Sequence, residues 1–415
     1  MKTTKHLIVG GGLSGHNAAK ALRAADPQGS IVILSNEPHR PYDRPPLTKD
    51  YMQGKTPAEK TYYEPPQWYG EQNITLLLDC QVERLDARAK VVTLANGEEW
   101  SFEKALLATG GRPVKLDIPG IELPGVHYFR TLADAVAVSD KIAPGLSVAI
   151  IGGGFIGLEL ASSLTQRGAR VSVIDGGPHI WSRFADATLA GFFTRYCQER
   201  GVTFYNAQRV SRIEGTAGPT SVVTASGMTI PCDLVIVAAG IVPNVELARQ
   251  AGLNVDNGVV VNAQLQTSHP DIYAAGDLCN YPDPYFDRRR RVEHWGQADY
   301  TGTLAGQNMA GANQPYNLMS YVFSDIFDLH LEFAGDEHGF DRVIVRGRME
   351  DKAFSVLYLK DSRLVAHFSV NLKRKQFSPL QKLIEKKVNL AGREAQLAEM
   401  SFDVSTLTAQ QVGSR

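Results

Sequence analysis

The chain has 415 residues, 43% of them hydrophobic and 21% charged, with a formal net charge of −1. That length exceeds a single hydrophobic core and predicts roughly two to four domains. The near-zero charge excludes whole-molecule attraction to nucleic acid or to an anionic membrane, so electrostatic recognition must come from a local patch.

The N-terminus, Met1 to His6, runs straight into a strand without a charged-then-apolar leader, and no apolar run reaches the length of a membrane span. The first predicted unit is a strand at Leu7-Ile8-Val9, a turn at Gly10-Gly11-Gly12-Leu13-Ser14-Gly15, an apolar-faced helix, and a second strand over residues 31–34. The pattern recurs with a strand over 148–151, the turn Gly152-Gly153-Gly154-Phe155-Ile156-Gly157, a helix over 158–167 and a strand over 171–174. Further on, residues 342–345, 354–359 and 364–370 read as strands, and 378–388 as an amphipathic helix capped by Ser378 with Pro379 at its first position. The tail after Gly392 is polar and weakly patterned.

In a GxGxxG turn the first glycine permits the tight bend. The second lets the backbone approach a diphosphate, and the third lets the helix pack close to its strand. The helix N-terminus then offers free N–H groups to the anion. One such turn is weak evidence; two, each between an apolar strand and an apolar-faced helix, predict two dinucleotide folds. Asp175 follows Ile174 directly and is placed to accept the ribose hydroxyls of NAD and repel a 2′-phosphate, which favours NADH. The first unit ends Ser35-Asn36-Glu37, and either Asn36 or Glu37 could bind the ribose of its dinucleotide.

The four cysteines, Cys80, Cys197, Cys232 and Cys279, have no CxxC or CxxxxC spacing. A redox dithiol or zinc ribbon is therefore not expected, nor any metal site, and scattered reduced thiols suit a cytoplasmic protein.

Further segments carry a likeness to a known family. They are Pro41-Tyr42-Asp43-Arg44-Pro45-Pro46-Leu47-Thr48-Lys49, Ala108-Thr109-Gly110, Phe129-Arg130-Thr131-Leu132, Ala239-Gly240-Ile241-Val242-Pro243-Asn244, Ala274-Ala275-Gly276-Asp277 and Arg291-Val292-Glu293-His294-Trp295. Over about residues 5–390 the chain resembles the FAD-dependent, NADH-using ferredoxin reductases of bacterial oxygenase systems. Their relatives include putidaredoxin reductase, rubredoxin reductase and apoptosis-inducing factor.

The resemblance implies an α/β chain of two Rossmann-like dinucleotide-binding domains and a C-terminal α+β domain. FAD would lie in residues 1–113 with 240–315, NADH in 114–239, and the last domain would span 316–415. It also implies FAD contacts at Arg44 (diphosphate), Val82 (adenine), Ala108, Thr109, Gly110, Arg130 and Asp277 (ribityl chain). His294 and Trp295 would lie against the flavin ring, Glu293 and Gly240 near the nicotinamide, and Lys49 beside the flavin, paired with Glu159. Two departures stand out. Asn36 occupies a position that is often acidic, and Phe323 takes the place of a tryptophan.

The implied activity is hydride uptake from NADH by FAD and release of electrons one at a time to a ferredoxin-type iron–sulfur partner. Arg288-Arg289-Arg290-Arg291 is a candidate docking patch for such an acidic partner. Reductases of quinone, rubredoxin or monodehydroascorbate, and an NADH redox sensor like apoptosis-inducing factor, share the architecture and remain alternatives. Monomer and dimer are equally compatible with the sequence.

Overall fold

The computed structural model describes residues 1–409 except Arg183 and Glu337; residues 410–415, the end of the expected C-terminal domain, lie outside the described residues. The chain divides into two compact units. The first comprises Met1–Arg44, Ala58–Arg112 and Ile241–Ser320, and the second Pro45–Pro57, Pro113–Gly240 and Tyr321–Arg415.

The first unit is built on parallel pairs. Strand Lys2–Val9 lies between Ile31–Leu34 and Glu99–Leu107, with Ile74–Leu77 and Ile272–Ala274 pairing parallel on the two sides. Leu7, Ile8, Ile33 and Leu106 are buried completely, as strands covered on both faces require. Helix Leu13–Ala25 packs against helix Trp295–Met309 so closely that a Cβ on Gly302 or Gly306 would stand 2.4 Å from the carbonyl oxygen of Ser14 or Ala18.

The second unit repeats the scheme. Its parallel sheet runs in the order Thr203–Tyr205, Arg170–Ile174, Ser147–Ile151, Leu234–Val237, Val126–Tyr128. Both nucleotide folds expected from the glycine motifs are present. The unit also holds an antiparallel five-stranded sheet in the order Tyr321–Ile326, Leu329–Gly335, Arg363–Val370, Phe354–Lys360, Arg342–Arg346. On one face of this sheet Phe368 meets Trp181 and Phe193 of the nucleotide fold; on the other, His367 meets Phe377 of the C-terminal helix.

Segment Pro45–Pro57 belongs to the second unit. Hydrogen bonds from Ser163 Oγ to Thr48 O (2.6 Å), Gln53 Nε2 to Ser163 Oγ (3.1 Å) and Arg167 to Met52 O (3.2 Å) fasten it to helix Phe155–Gln166 and its C-terminal end.

The C-terminal helix differs from the sequence expectation. It runs Arg374–Glu385, so Ser378 is not its cap and Pro379 lies inside it. Proline there forfeits one hydrogen bond, to residue 375. The Gln376 side chain holds the Lys373 N–H at 2.9 Å, and buried Phe377, Leu380, Leu383 and Ile384 carry the helix through. The polar tail is also more ordered than its pattern suggests, with short helices at Glu394–Ala398 and Ser405–Ala409. Arg346, 5% exposed, donates to the carbonyls of Leu397 (3.0 Å), Glu399 (2.7 Å) and Phe402 (2.8 Å), which fixes the tail on the sheet. Among the described residues no helix is long and apolar enough to cross a membrane.

Candidate functional site

Strand Lys2–Val9 delivers the chain to Gly10, whose φ of +123° suits glycine alone. A Cβ on Gly10 would stand 2.2 Å from Ala108 O, and one on Gly15 would stand 2.0 Å from Gly10 O. A Cβ on Gly12 would meet nothing within 4 Å, so the middle glycine faces open space. Helix Leu13–Ala25 starts there with no side-chain cap, leaving its first N–H groups available. This turn fits the diphosphate of a dinucleotide. The Ser14 hydroxyl points elsewhere, donating to Ala298 O at 2.9 Å.

At the end of strand Ile31–Leu34, Asn36 is exposed and Glu37 is half-buried. The Glu37 carboxylate accepts from Tyr42 Oη at 2.6 Å and from Arg44 at 2.9 Å. Burial works against the Arg44 charge, but Tyr42, Glu37 and Asp277 outweigh it and hold the guanidinium more firmly protonated. Arg44 and Asp277, far apart in sequence, are thus brought together. Asp43, which sequence reasoning missed, accepts from Trp295 Nε1 at 2.7 Å and Tyr63 Oη at 2.9 Å. His294 caps helix Trp295–Met309 by accepting the Gly296 N–H at 3.1 Å, and Glu293 is exposed beside Arg291. One turn on, Gln297 is 2% exposed and its Nε2 has no hydrogen-bond partner among the described residues, a donor suited to a bound polar group. The Thr109 hydroxyl donates to Asn244 O and the Asn244 amide to Thr109 O, both at 2.8 Å, tying the Ala108-Thr109-Gly110 corner down. Val82 is buried at the start of strand Val82–Asp86.

In the second unit, Gly152 has φ +115° and a Cβ there would stand 2.4 Å from Ala238 O. Gly157 packs against Gly152 O as Gly15 does against Gly10 O, and Gly154 is open like Gly12. Phe155 and Ile156 begin the uncapped helix Phe155–Gln166; Ile156 is exposed, while Phe155 stacks on Phe184. Asp175 accepts from Gly153 N at 2.6 Å and Gly177 N at 2.7 Å, which locks its carboxylate at the glycine turn. Gly240 has φ +100° and accepts from Val114 N at 2.9 Å. Arg130 also belongs to this unit, its N–H donating to Asp134 at 3.0 Å.

A charged chain runs through the second unit. Glu159, 6% exposed, accepts from Thr48 Oγ1 at 2.5 Å and Ser324 Oγ at 2.6 Å, with Lys49 Nζ 3.5 Å away. Burial pushes the Glu159 carboxyl up despite Lys49, Ser324 and Thr48. Burial also opposes the Lys49 charge, but Glu159 and Asp325 overcome it and raise the ammonium. Asp325, to which the sequence assigned no part, is the closer partner at 2.7 Å. His330 stands opposite it across the hairpin, 2.6 Å away, with Glu332 at 3.4 Å. Hydrogen bonds to Asp325 and Glu332 raise His330 to about 9; burial would lift Asp325, yet His330 and Lys49 bring it down to about 2. Phe323 lies with its ring centroid 5.2 Å from Lys49 Nζ.

The Arg288-Arg289-Arg290-Arg291 run is divided: Arg288 and Arg289 are exposed, while Arg290 and Arg291 are paired with acids. Arg290 is 9% exposed and paired at 3.3 Å with fully buried Asp283. Arg291 is paired with Glu293 and donates to Asp277 O at 3.0 Å. Arg289 donates to the carbonyls of Val261 and Asn280. Asp283 and Glu293 thus offset Arg290 and Arg291, while Arg288 and Arg289 stay at the surface.

Residues 4–302 match the family described as pyridine nucleotide-disulphide oxidoreductase, and residues 321–408 match the reductase C-terminal family. The chain is 35% identical to the probable ferredoxin reductase CtmF of Castellaniella defragrans, over 97% of this chain and 98% of that one. It is 33% identical to the putidaredoxin reductase CamA of Pseudomonas putida over 94% of each. A crystal structure of the covalent putidaredoxin reductase–putidaredoxin complex superposes with a TM-score of 0.92 at 32% identity, covering 99% of both chains. With two uncapped glycine turns at parallel strand ends and this breadth of likeness, the chain belongs to the pyridine nucleotide-disulphide oxidoreductases, in the branch of ferredoxin and rubredoxin reductases that carry the reductase C-terminal domain.

Proposed function

We propose that the chain is an FAD-dependent reductase that takes hydride from NADH and passes electrons one at a time to a ferredoxin-type iron–sulfur protein serving an oxygenase. The observation that carries this reading is the doubled strand–glycine turn–helix unit, with a locked acid, Asp175, ending the second strand of the second copy. The relatives named for ferredoxin and putidaredoxin reduction, similar over nearly the whole chain, support the choice of partner.

When bound, FAD supplies a ring that accepts a hydride and releases electrons singly. The protein's part is to bind, orient and set charge. Gly10 opens the turn, its own N–H held by Leu34 O, so that Gly12, Leu13, Ser14 and Gly15 present backbone N–H groups to the FAD diphosphate, and Arg44 neutralises it, held by Glu37. Glu37, which keeps acceptor capacity beyond its bonds from Arg44 and Tyr42, or the adjacent Asn36 takes the ribose contact. Asp277 accepts a ribityl hydroxyl, and His294 and Trp295 orient the ring, the indole steadied by Asp43. Val82, Ala108, Thr109, Gly110 and Arg130 complete the FAD contacts. Gly152, Gly154, Phe155, Ile156 and Gly157 receive NADH, Asp175 accepts its ribose hydroxyls, and Gly240 and Glu293 border the nicotinamide. Lys49, kept charged by Asp325 and Glu159, adds positive charge beside the ring, with Phe323 packed against the ammonium.

The test is stopped-flow mixing of FAD-loaded protein with NADH without oxygen, followed by an oxidised [2Fe–2S] ferredoxin or a rubredoxin. Rapid loss of the flavin's visible absorbance, then stoichiometric acceptor reduction, is expected. Purified protein that takes up no FAD, or flavin that NADH leaves oxidised, ends the reading.

A further inference from the structure

The turn that follows the NAD-type acid carries a second, opposite recognition chemistry. Asp175 is followed by Gly176 and Gly177, so the sequence shows no basic residue beside it. The fold brings one there from beyond the third strand. Gln208 N donates to Asp175 O at 2.9 Å and Ala207 N to Gly177 O at 2.7 Å, which lays residues 207–209 along the turn. Arg209 Cγ then stands 3.4 Å from the point a Cβ would take on Gly176, and its Nε 4.0 Å from it. The Arg209 residue is exposed, and its guanidinium makes no hydrogen bond or ion pair among the described residues. At the next residue, Ser182 Oγ stands 2.4 Å from the corresponding point on Gly177.

In such folds the acid ending the second strand meets the adenosine ribose, and an arginine near it accommodates a 2′-phosphate. A guanidinium and a hydroxyl flanking a side-chain-free turn are the groups a phosphate seeks. We propose that Arg209, with Ser182, forms a latent 2′-phosphate subsite at the adenosine end of the dinucleotide site. Coenzyme choice is then the balance between Asp175, which repels that phosphate, and Arg209, which attracts it. This rests on the reading of the second glycine turn as the NADH site.

The experiment is calorimetric titration of FAD-loaded protein with 2′,5′-ADP and, separately, 5′-ADP and NADH. Asp175→Asn is expected to tighten 2′,5′-ADP by about tenfold relative to 5′-ADP, the gain of one charge-assisted contact freed from repulsion. Adding Arg209→Gln should abolish that gain, while Arg209→Lys keeps part of it. Because Asp175 also anchors two backbone N–H groups, Arg209→Gln alone is the second variant. It should weaken 2′,5′-ADP and leave the 5′-ADP affinity within about twofold. If NADH binds but neither Arg209 variant alters the 2′,5′-ADP to 5′-ADP ratio, this proposal fails and the NADH site stands. If no adenine nucleotide binds the wild-type protein, both fail together.

Discussion

Lys49 Nζ lies 2.7 Å from Asp325 Oδ2, an ion pair between the proline-rich segment that ends the first motif region and the edge strand of the C-terminal sheet. Glu159, the partner that the family likeness pointed to, is the more distant at 3.5 Å and far more deeply buried. The cation therefore serves two acids of different character. Asp325 is ionised through His330, while Glu159 is buried against two hydroxyls and inclined to keep its proton.

Lys49→Met removes the charge that offsets Glu159. The Glu159 carboxyl is raised in the folded protein, so its ionised form is disfavoured and its cost grows as pH rises beyond the ordinary carboxylate range. The substitution is expected to cost about 3 kcal/mol at pH 8 and clearly less at pH 5, where Glu159 can take up a proton. Urea denaturation at the two pH values measures this. Equal losses would show that Glu159 is not the group left uncompensated.

His330 is raised from 6.5 to about 9 by its acidic neighbours. A raised histidine contributes stability that is complete below the unfolded value and disappears as pH climbs through the folded one. The melting-temperature difference between wild type and His330→Gln should be constant between about pH 4 and pH 6, where the acids are ionised, and vanish by about pH 10. A difference that persists undiminished at the upper limit would mean the link is not ionic.

Gly10→Ala and Gly152→Ala separate the two nucleotide sites. At each position an added Cβ would stand within 2.4 Å of a backbone carbonyl oxygen at positive φ. Backbone on both sides must shift, and the phosphate-binding turn with it. Gly10→Ala is expected to purify with little flavin. Gly152→Ala should retain flavin and lose NADH affinity by tenfold or more, on the order of one or two lost hydrogen bonds to a charged group. The ratio of visible to ultraviolet absorbance and an NADH titration report the two outcomes, and equal behaviour of both variants would contradict the assignment of different nucleotides.

Arg346→Met strips the C-terminal tail of its anchor. The guanidinium satisfies carbonyls of Leu397, Glu399 and Phe402, which would be left without a donor. A loss of about 2–4 kcal/mol is expected, with proteolysis after about residue 390 accelerated before any cleavage elsewhere. Unchanged proteolysis would place the tail's anchorage in its apolar contacts at Leu397 and Leu407 instead.

The fold class and both glycine turns were legible in the sequence because they rest on local rules. A buried strand must be apolar, and a backbone at positive φ with a carbonyl 2.2 Å from the would-be Cβ must be glycine. Asp175 was legible for the same reason, since it directly follows its strand. The helix at Arg374–Glu385 was misplaced because Pro379 carries a strong local signal for a first turn, whereas four buried apolar residues on one face hold the helix straight through it.

What only the tertiary structure decided concerns partners distant in the chain. Asp43 on Trp295, Asp325 on Lys49, Arg209 beside Gly176 and Asp283 under Arg290 all join residues that no periodicity relates. The arginine run shows the limit most directly. Four like charges in a row read alike, but the fold pairs Arg290 with a buried carboxylate and Arg291 with Glu293 and leaves Arg288 and Arg289 exposed. Backbone conformation and burial are written locally, but charge is settled by whichever groups the packing brings within a few ångströms, and that is a property of the folded chain alone.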